Sequence, residues 1–302
     1  MKAVFAYLQL MRPANIVTAM ADILAGASIG FITYISDRTY DAIEWSDLIL
    51  LLLSTIGLYG GGVVMNDVAD QKLDAAERPE RPLPSGRASA TRAMTLGASL
   101  FLLGIFSASR VSMQSGSIAL VITVLALLYD YFGKHNKLFG PLNMGACRGF
   151  NLLLGMSTSL EVLQKYYWLA LIPVIFIAAI TIISRGEVLG GNRTAIKFAA
   201  LLFSVVIALI VFIPFHYHFH EGSLAFTVGF AVLFSISVFI PLIKAHTDPH
   251  PGNIRKAVKA GVLSLIVMDA AIASAFGGWP AGLIILALLP VSLFLARIFA
   301  VT

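Results

Sequence analysis

The chain has 302 residues, of which 58% are hydrophobic and only 12% charged, with a formal net charge of +5 and a mean hydropathy of +0.87. A soluble domain carries about twice that charged fraction, whereas here apolar runs recur at about the 20 residues one helix needs to cross a hydrocarbon core ~30 Å thick. The basic residues sit in short loops between those runs, which argues against a nucleic-acid-binding surface, and the single cysteine, Cys147, excludes an internal disulfide.

Ten segments are long and apolar enough to cross: 14–34, 47–65, 92–110, 115–131, 139–158, 166–184, 195–214, 222–243, 257–276 and 280–300. They predict an all-α, polytopic transmembrane helical bundle in one domain, 1–302, because a membrane barrel needs alternating strands rather than continuous apolar runs. Lys2 and Arg12 precede the first run with no small-residue cleavage site after it, so that run reads as a retained helix. Pro173 and Pro241 are tolerable inside spans because neighbouring helices re-satisfy the freed backbone groups. Gly60, Gly61 and Gly62 near the end of the second span permit close approach by a helix or a ligand. With a cytoplasmic N-terminus, 18 Lys and Arg fall on the cytoplasmic side and three, Arg38, Arg110 and Lys165, on the other. That split predicts cytoplasmic termini, in a bacterial inner membrane.

The chemistry concentrates after span two. Asn66, Asp70 and Asp74 recur every four residues and stack on one helix face, with Asp67 one residue off the stripe. Carboxylates converging at a membrane mouth repel unless a cation lies between them, and hard oxygen ligands suit Mg²⁺, which keeps some waters and shares its shell with phosphate. A solvated acidic helix start is the plainer alternative. The Pro- and Gly-rich loop that follows carries Arg78 and Arg81, whose guanidinium groups match phosphate oxygens. Positive-inside charge alone accounts for Arg87 and Arg92.

Here the chain resembles a known family. NDVADQKLD (66–74) followed by RPERPLPSG (78–86) is similar to the first aspartate-rich signature of the UbiA superfamily of intramembrane prenyltransferases. Arg12-Pro13 with Asn15 opens span one in the family manner, and the loop with Tyr129, Tyr131 and Lys134 looks like the family's Tyr/Lys element. YDYFGKHNKLFGPLNMGACRGFN and GEVLGGNR look most like the EboC-like branch. The resemblance implies nine helices around a central cavity, with span ten an addition, and transfer of an isoprenyl group from a prenyl diphosphate to an acceptor that the sequence does not identify. It implies Mg²⁺ on Asn66, Asp67, Asp70 and Asp74, with Asp70 and Asp74 central to catalysis. Arg78, Arg81 and Lys134 then face the departing diphosphate, and Tyr129 or Tyr131 the allylic cation, while the donor's tail is reached laterally from membrane lipid.

The family's second aspartate-rich motif is altered. Residues 184–193 contain one acid, Glu187, with Gly191 and Asn192 where another aspartate is expected. Arg185 and Arg193 are the residues expected to grip phosphate directly there, with Glu187, Asn192 and Arg193 at the mouth opposite the 66–81 loop.

Polar residues within spans need partners. Asn15 and Asp22 share a face of span one; Arg148 and Asn151 lie in span five and Asp269 in span nine. Asp22 with Arg148 is the expected pair, serving either the acceptor or helix packing, and Asp269 reads as structural. The outer loop holding His216, His218, His220 and Glu221 reads as an interfacial aromatic loop rather than a metal site, and 244–256 as a connector. Two other functions compete. A CDP-alcohol phosphotransferase needs a DG-x2-AR opening that this chain lacks; a non-catalytic carrier or flippase of a polar-headed lipid would keep the bundle and explain the altered second motif.

Overall fold

The computed structural model describes residues 2–37, 44–133, 136–187, 190–217 and 222–299, and among these there is no strand. In chain order the helices are α1 (Lys2–Met11), α2 (Pro13–Asp37), α3 (Trp45–Ala69), α4 (Gln71–Glu77), α5 (Ala90–Val111), α6 (Met113–Leu128), α7 (Phe139–Met156), α8 (Leu160–Tyr166), α9 (Leu171–Ser184), α10 (Arg193–His216), α11 (Ser223–Thr247), α12 (Pro251–Leu286) and α13 (Leu288–Ile298). A π-helical turn, Tyr129–Gly133, follows α6, and a 3-10 turn, Tyr167–Ala170, follows α8.

Among the described residues, each of the ten predicted segments is helical over nearly all of its length. Eight described stretches are long and apolar enough to cross a membrane. The last, Pro251–Ile298, runs for 48 residues and holds the two C-terminal predicted spans, separated by a bend at Gly278 (φ 66, ψ −165) that only glycine adopts cheaply. The α7 helix is not among the eight because it carries Asn143, Arg148 and Asn151, all buried against neighbouring helices instead of facing lipid. Large apolar side chains such as Leu102, Phe106, Phe212, Ile236 and Phe294 point outward, an arrangement that water would oppose and a bilayer accepts.

Helix starts follow local chemistry. Pro13 opens α2 and Pro251 opens α12, positions where the missing N–H costs nothing. The Ser112 hydroxyl accepts from Ser115 N at 3.0 Å to start α6. The α1 helix, outside the predicted spans, buries Ala6 and Leu10 against Val64 of α3 and Leu83, Ala93 and Leu100 around α5. Between α1 and α2, Arg12 takes the left-handed region (φ 51), which costs a non-glycine residue about 1–2 kcal/mol.

Helices α2, α7, α9, α10, α11 and α12 pack about one extended core that includes Phe176, Phe203, Phe234 and Phe276. A second core joins α3, α5 and α6 through Leu58, Phe101 and Ile122. The two ends of the chain meet: the Ser292 hydroxyl donates to Ala14 O at 2.9 Å, and the rings of Phe5 and Phe299 stack 5.2 Å apart. The first and last described helices, α1 and α13, therefore lie on the same side of the bundle.

The contact between α2 and α7 leaves no room for a side chain at its centre. A Cβ on Gly155 would sit 2.5 Å from Ile23 O, and one on Gly26 2.4 Å from Leu152 O. Gly155→Ala must therefore push two backbones apart, and is expected to destabilise the bundle by about 1–3 kcal/mol, the range for overpacking. Thermal unfolding in detergent measures this, and an unchanged midpoint would contradict the close packing.

Candidate active site

Between α2, α3, α6, α7, α9 and α12 lies a cavity of about 440 Å³. Its walls are apolar, from Leu58, Val63, Ile122, Ile177, Ile180 and Val262. Its inner end is polar, with Tyr59, Arg148, Asn151 and Asn15, and its mouth is ringed by charges from α3, α4, the 78–81 loop, Glu187 and the start of α12. Gly62 faces this space, while Gly61 meets α5, where an added Cβ would lie 3.0 Å from Gly97 O. The adjacent glycines thus serve ligand access and helix contact separately.

Asn66, Asp70 and Asp74 all line the mouth. The α3 helix ends at Ala69, and Asp70 (φ −89, ψ 2) joins it to α4. The amides of Asp74 and Arg78 still reach back four residues, each at 2.8 Å, so the three side chains keep their helical stacking. Asp67 corrects the expected ligand set. It is buried away from the cavity lining, where its Oδ1 accepts from Arg12 Nη2 at 2.5 Å and from Arg81 Nη1 at 3.5 Å. One residue off the stripe rotates a side chain about 100° around the helix, enough to turn Asp67 toward Arg12. Arg81 also donates to Asp74 Oδ2 at 2.8 Å, so Asp74 is half engaged before any ligand arrives.

Opposite this face, Glu187 lines the mouth and pairs with Arg78 at 3.4 Å, spanning from the 66–81 loop to the end of α9. Arg255 Nε donates to the Glu187 carbonyl at 3.2 Å. Burial pushes the Glu187 carboxyl above the ordinary glutamate range, against the opposing pull of Arg78 and Arg255. The other second-motif residues depart from expectation. Asn192 is an exposed helix cap whose Oδ1 accepts from Thr194 N at 2.8 Å, and Arg193 is exposed and donates to Thr247 O at 3.3 Å. Arg185, also exposed, donates to Asn136 O at 2.6 Å. None of the three lines the cavity. Cationic charge on this side comes instead from Arg255 and Lys259, one turn apart on α12, in and just beyond the segment read as a connector.

Of the Tyr/Lys element, Tyr129 lines the cavity, but Tyr131 is 51% exposed and points away. Two residues apart, the tyrosines stand about 200° from each other around the helix, and the face that Tyr129 shares with Ile122 and Ala126 also carries Asp130. Asp130 is 4% exposed, and its Oδ1 accepts from Asn66 Nδ2 at 2.8 Å. Lys134 lies outside the described residues, as do His218, His220 and Glu221 of the outer loop. His216 belongs to an aromatic group with Phe212 and Tyr217, far along the chain from the mouth residues.

At the inner end, the expected pair is present: Arg148 Nη1 donates to Asp22 Oδ2 at 2.6 Å, and Asn151 Nδ2 donates to the same oxygen at 2.8 Å. Arg148 also donates to Thr18 and lies 5.1 Å from the centre of the Tyr59 ring. Asp22 itself is fully buried and outside the cavity lining, so it holds the wall while Arg148, Asn151 and Asn15 face the space. Asp269 is fully buried on α12 and does not reach the cavity.

The oxygen donors at the mouth fit a hard divalent cation. Asn66, Asp70, Asp74 and Asp130 supply oxygens only, and Asp130 Oδ2 is buried with no hydrogen-bond partner. Among the described residues no three acids, histidines or cysteines enclose a metal by themselves.

A profile of the UbiA prenyltransferase family matches residues 29–252. The chain is 26% identical over 297 residues to a digeranylgeranylglyceryl phosphate synthase of Sulfurisphaera tokodaii, covering 89% of this chain and 98% of that one. With the protein of the same name from Methanosarcina mazei it shares 37% identity over 155 residues, half of this chain and 54% of that protein's length. In fold it is similar to a UbiA homologue from Archaeoglobus fulgidus bound to GPP and Mg²⁺, with a TM-score of 0.63, 13% identity, and coverage of 91% and 99% of the two chains.

The inner ion pair supports a stability test. Asp22→Ala strands the Arg148 cation in a buried site and is expected to cost about 3–5 kcal/mol in thermal or denaturant unfolding. Adding Arg148→Met removes the stranded charge and is expected to recover most of that loss. Equal destabilisation by the single and double changes would show that the pair is not what holds α2 to α7.

Proposed function

The chain belongs to the UbiA prenyltransferase family, and on that premise we propose that it transfers an isoprenyl group from a Mg²⁺-bound prenyl diphosphate to an acceptor at the cytoplasmic mouth of its cavity. The observation that carries this reading is one cavity with two chemistries. Oxygen donors and cations ring the mouth, and apolar side chains from Leu58, Ile122, Ile177 and Val262 line the same cavity. A molecule with a diphosphate at one end and a hydrocarbon at the other matches that division.

Asn66, Asp70 and Asp74 are the residues placed to hold Mg²⁺, which when bound neutralises diphosphate charge and eases its departure. Arg78 and Arg81, with Arg255 and Lys259 across the mouth, supply fixed cations to the same oxygens. Arg78 reaches the donor by exchanging its Glu187 partner for phosphate. As the carbon–oxygen bond to diphosphate breaks, positive charge develops on the allylic carbon, and the Tyr129 ring with the dry cavity wall is placed to stabilise it. The acceptor's nucleophile then bonds to that carbon and gives up a proton. Relatives named digeranylgeranylglyceryl phosphate synthase make a glyceryl phosphate the first acceptor to try, and an anionic head of that kind suits Arg255 and Lys259. The 18 to 3 distribution of basic residues supports placing the mouth and both termini on the cytoplasmic side.

Purified protein in nanodiscs, given labelled geranyl, farnesyl or geranylgeranyl diphosphate with glyceryl phosphate or a membrane extract, is expected to release diphosphate only with Mg²⁺ and to lose that activity in chelator. Asp70→Asn is expected to lower turnover at least ~100-fold, the scale of a lost electrostatic contribution. Arg193→Ala, at an exposed site off the cavity, is expected to stay within about two- to threefold of the parent. Intact donor under every condition, with lipid nonetheless moved across the bilayer, would reject transfer in favour of a carrier.

A further inference from the structure

One of the oxygen donors at the mouth, Asp130, lies outside the Asn66, Asp70 and Asp74 set proposed to hold the metal. Asp130 sits on the π turn that ends α6, beside Asn66 at the end of α3. That turn buries Asp130 to 4% exposure while its neighbours Tyr131 and Phe132 stand 51% and 78% exposed. Asp130 shares the inward face of this helix with Ile122, Ala126 and Tyr129, and the π turn that carries it is of a kind frequent at functional sites.

Its two oxygens are treated differently. Oδ1 takes the Asn66 Nδ2 hydrogen bond at 2.8 Å. Oδ2 is shielded from solvent and has no hydrogen-bond partner. A buried carboxylate oxygen left unsatisfied costs on the order of 1–3 kcal/mol or more, so native structures rarely keep one without an ion or water to meet it. The Asn66 bond also orients Asn66: its amide nitrogen faces Asp130, which leaves the carbonyl oxygen as the atom suited to a cation.

Charge distribution around the mouth points the same way. Asp67 is taken by Arg12 and Arg81, Asp74 shares Arg81, and Glu187 is held by Arg78. The altered second motif therefore offers the cation little negative charge from α9, and Asn192 is too exposed to help. We propose that Asp130 is a ligand of the divalent cation, supplying from the end of α6 the carboxylate that the second motif lacks, and that the metal lies between the α3 and α6 faces of the mouth. This rests on the reading of the mouth as a Mg²⁺-diphosphate site. It places the metal against Asn66, Asp70 and Asp130 rather than between α4 and α9.

Metal binding can be read without turnover. Mn²⁺ replaces Mg²⁺ as a paramagnetic probe, and loss of the free-ion signal in the full-length protein, without donor, gives its affinity. Asp130→Asn, which retains an acceptor for Asn66, is expected to weaken Mn²⁺ at least ~10-fold, no less than the loss of a supporting group around a metal, while the metal-free melting midpoint holds or rises. Asp70→Asn is measured beside it. Weakening in Asp70→Asn with parental affinity in Asp130→Asn would overturn the proposal and leave the proposed function standing, with Asp130 reduced to a partner of Asn66. Parental affinity in both would reject the metal site itself. Should Asp130→Asn not fold, Asp130→Glu keeps the charge but moves the carboxylate by one methylene. Mn²⁺ affinity shifted by that change supports the proposal, and affinity unchanged overturns it.

Discussion

A chain of buried charge pairs at the mouth, Arg12 to Asp67 to Arg81 to Asp74, organises everything around it. These groups leave water only because each acid meets a guanidinium, and removing one partner would leave an uncompensated buried charge. The pairs join four parts of the chain: the α1–α2 turn, the end of α3, the short α4 helix and the loop that follows. The left-handed backbone at Arg12 is part of the same arrangement, since it turns the chain out of α1 with the guanidinium directed at Asp67. With Asp67 and Arg81 committed to holding the loop, Asn66 and Asp70 can face the cavity on a fixed backbone.

The pairs also explain why a cluster of acids survives beside a hydrocarbon interior. Four acids within one segment, 67–77, would repel one another strongly in a low-dielectric site. Arginines from outside that segment absorb part of the charge, and the remainder faces the open mouth. Deeper in the bundle, Arg148 with Asp22, Asn151 and Thr18 repeats the device across α2 and α7, where glycine contacts bring the backbones close enough for the side chains to meet. The result is a cavity with a charged mouth, apolar walls and a polar patch at Arg148 and Asn151.

Much of this was legible in the chain. Apolar runs located every crossing helix, because a span must satisfy its own backbone and so announces itself in composition alone. The four-residue spacing of Asn66, Asp70 and Asp74 survived the break between α3 and α4, since the backbone hydrogen bonds carry through it. The Asp22–Arg148 pair followed from the cost of a lone charge in lipid. What was not legible lay outside the motifs. At 129–133 Tyr131 matched a family element, while Asp130, which shares a helix face with Ile122 and Ala126, matched none. Asn192 and Arg193 lie off the cavity, and Arg255 and Lys259, from a segment with no motif of its own that meets Gly191 at Pro249, line it instead.

The central claim is that donor and metal meet at the cytoplasmic mouth, on the face built by α3. A structure of the protein with Mn²⁺ and a non-hydrolysable prenyl diphosphate, phased to show anomalous scattering, addresses it directly. The account predicts a metal peak against Asn66 and Asp70, with the diphosphate reaching toward Arg78 and Arg81 and the prenyl chain along the apolar wall. A diphosphate lodged at the opposite end of the bundle, or a metal peak away from α3, would contradict it.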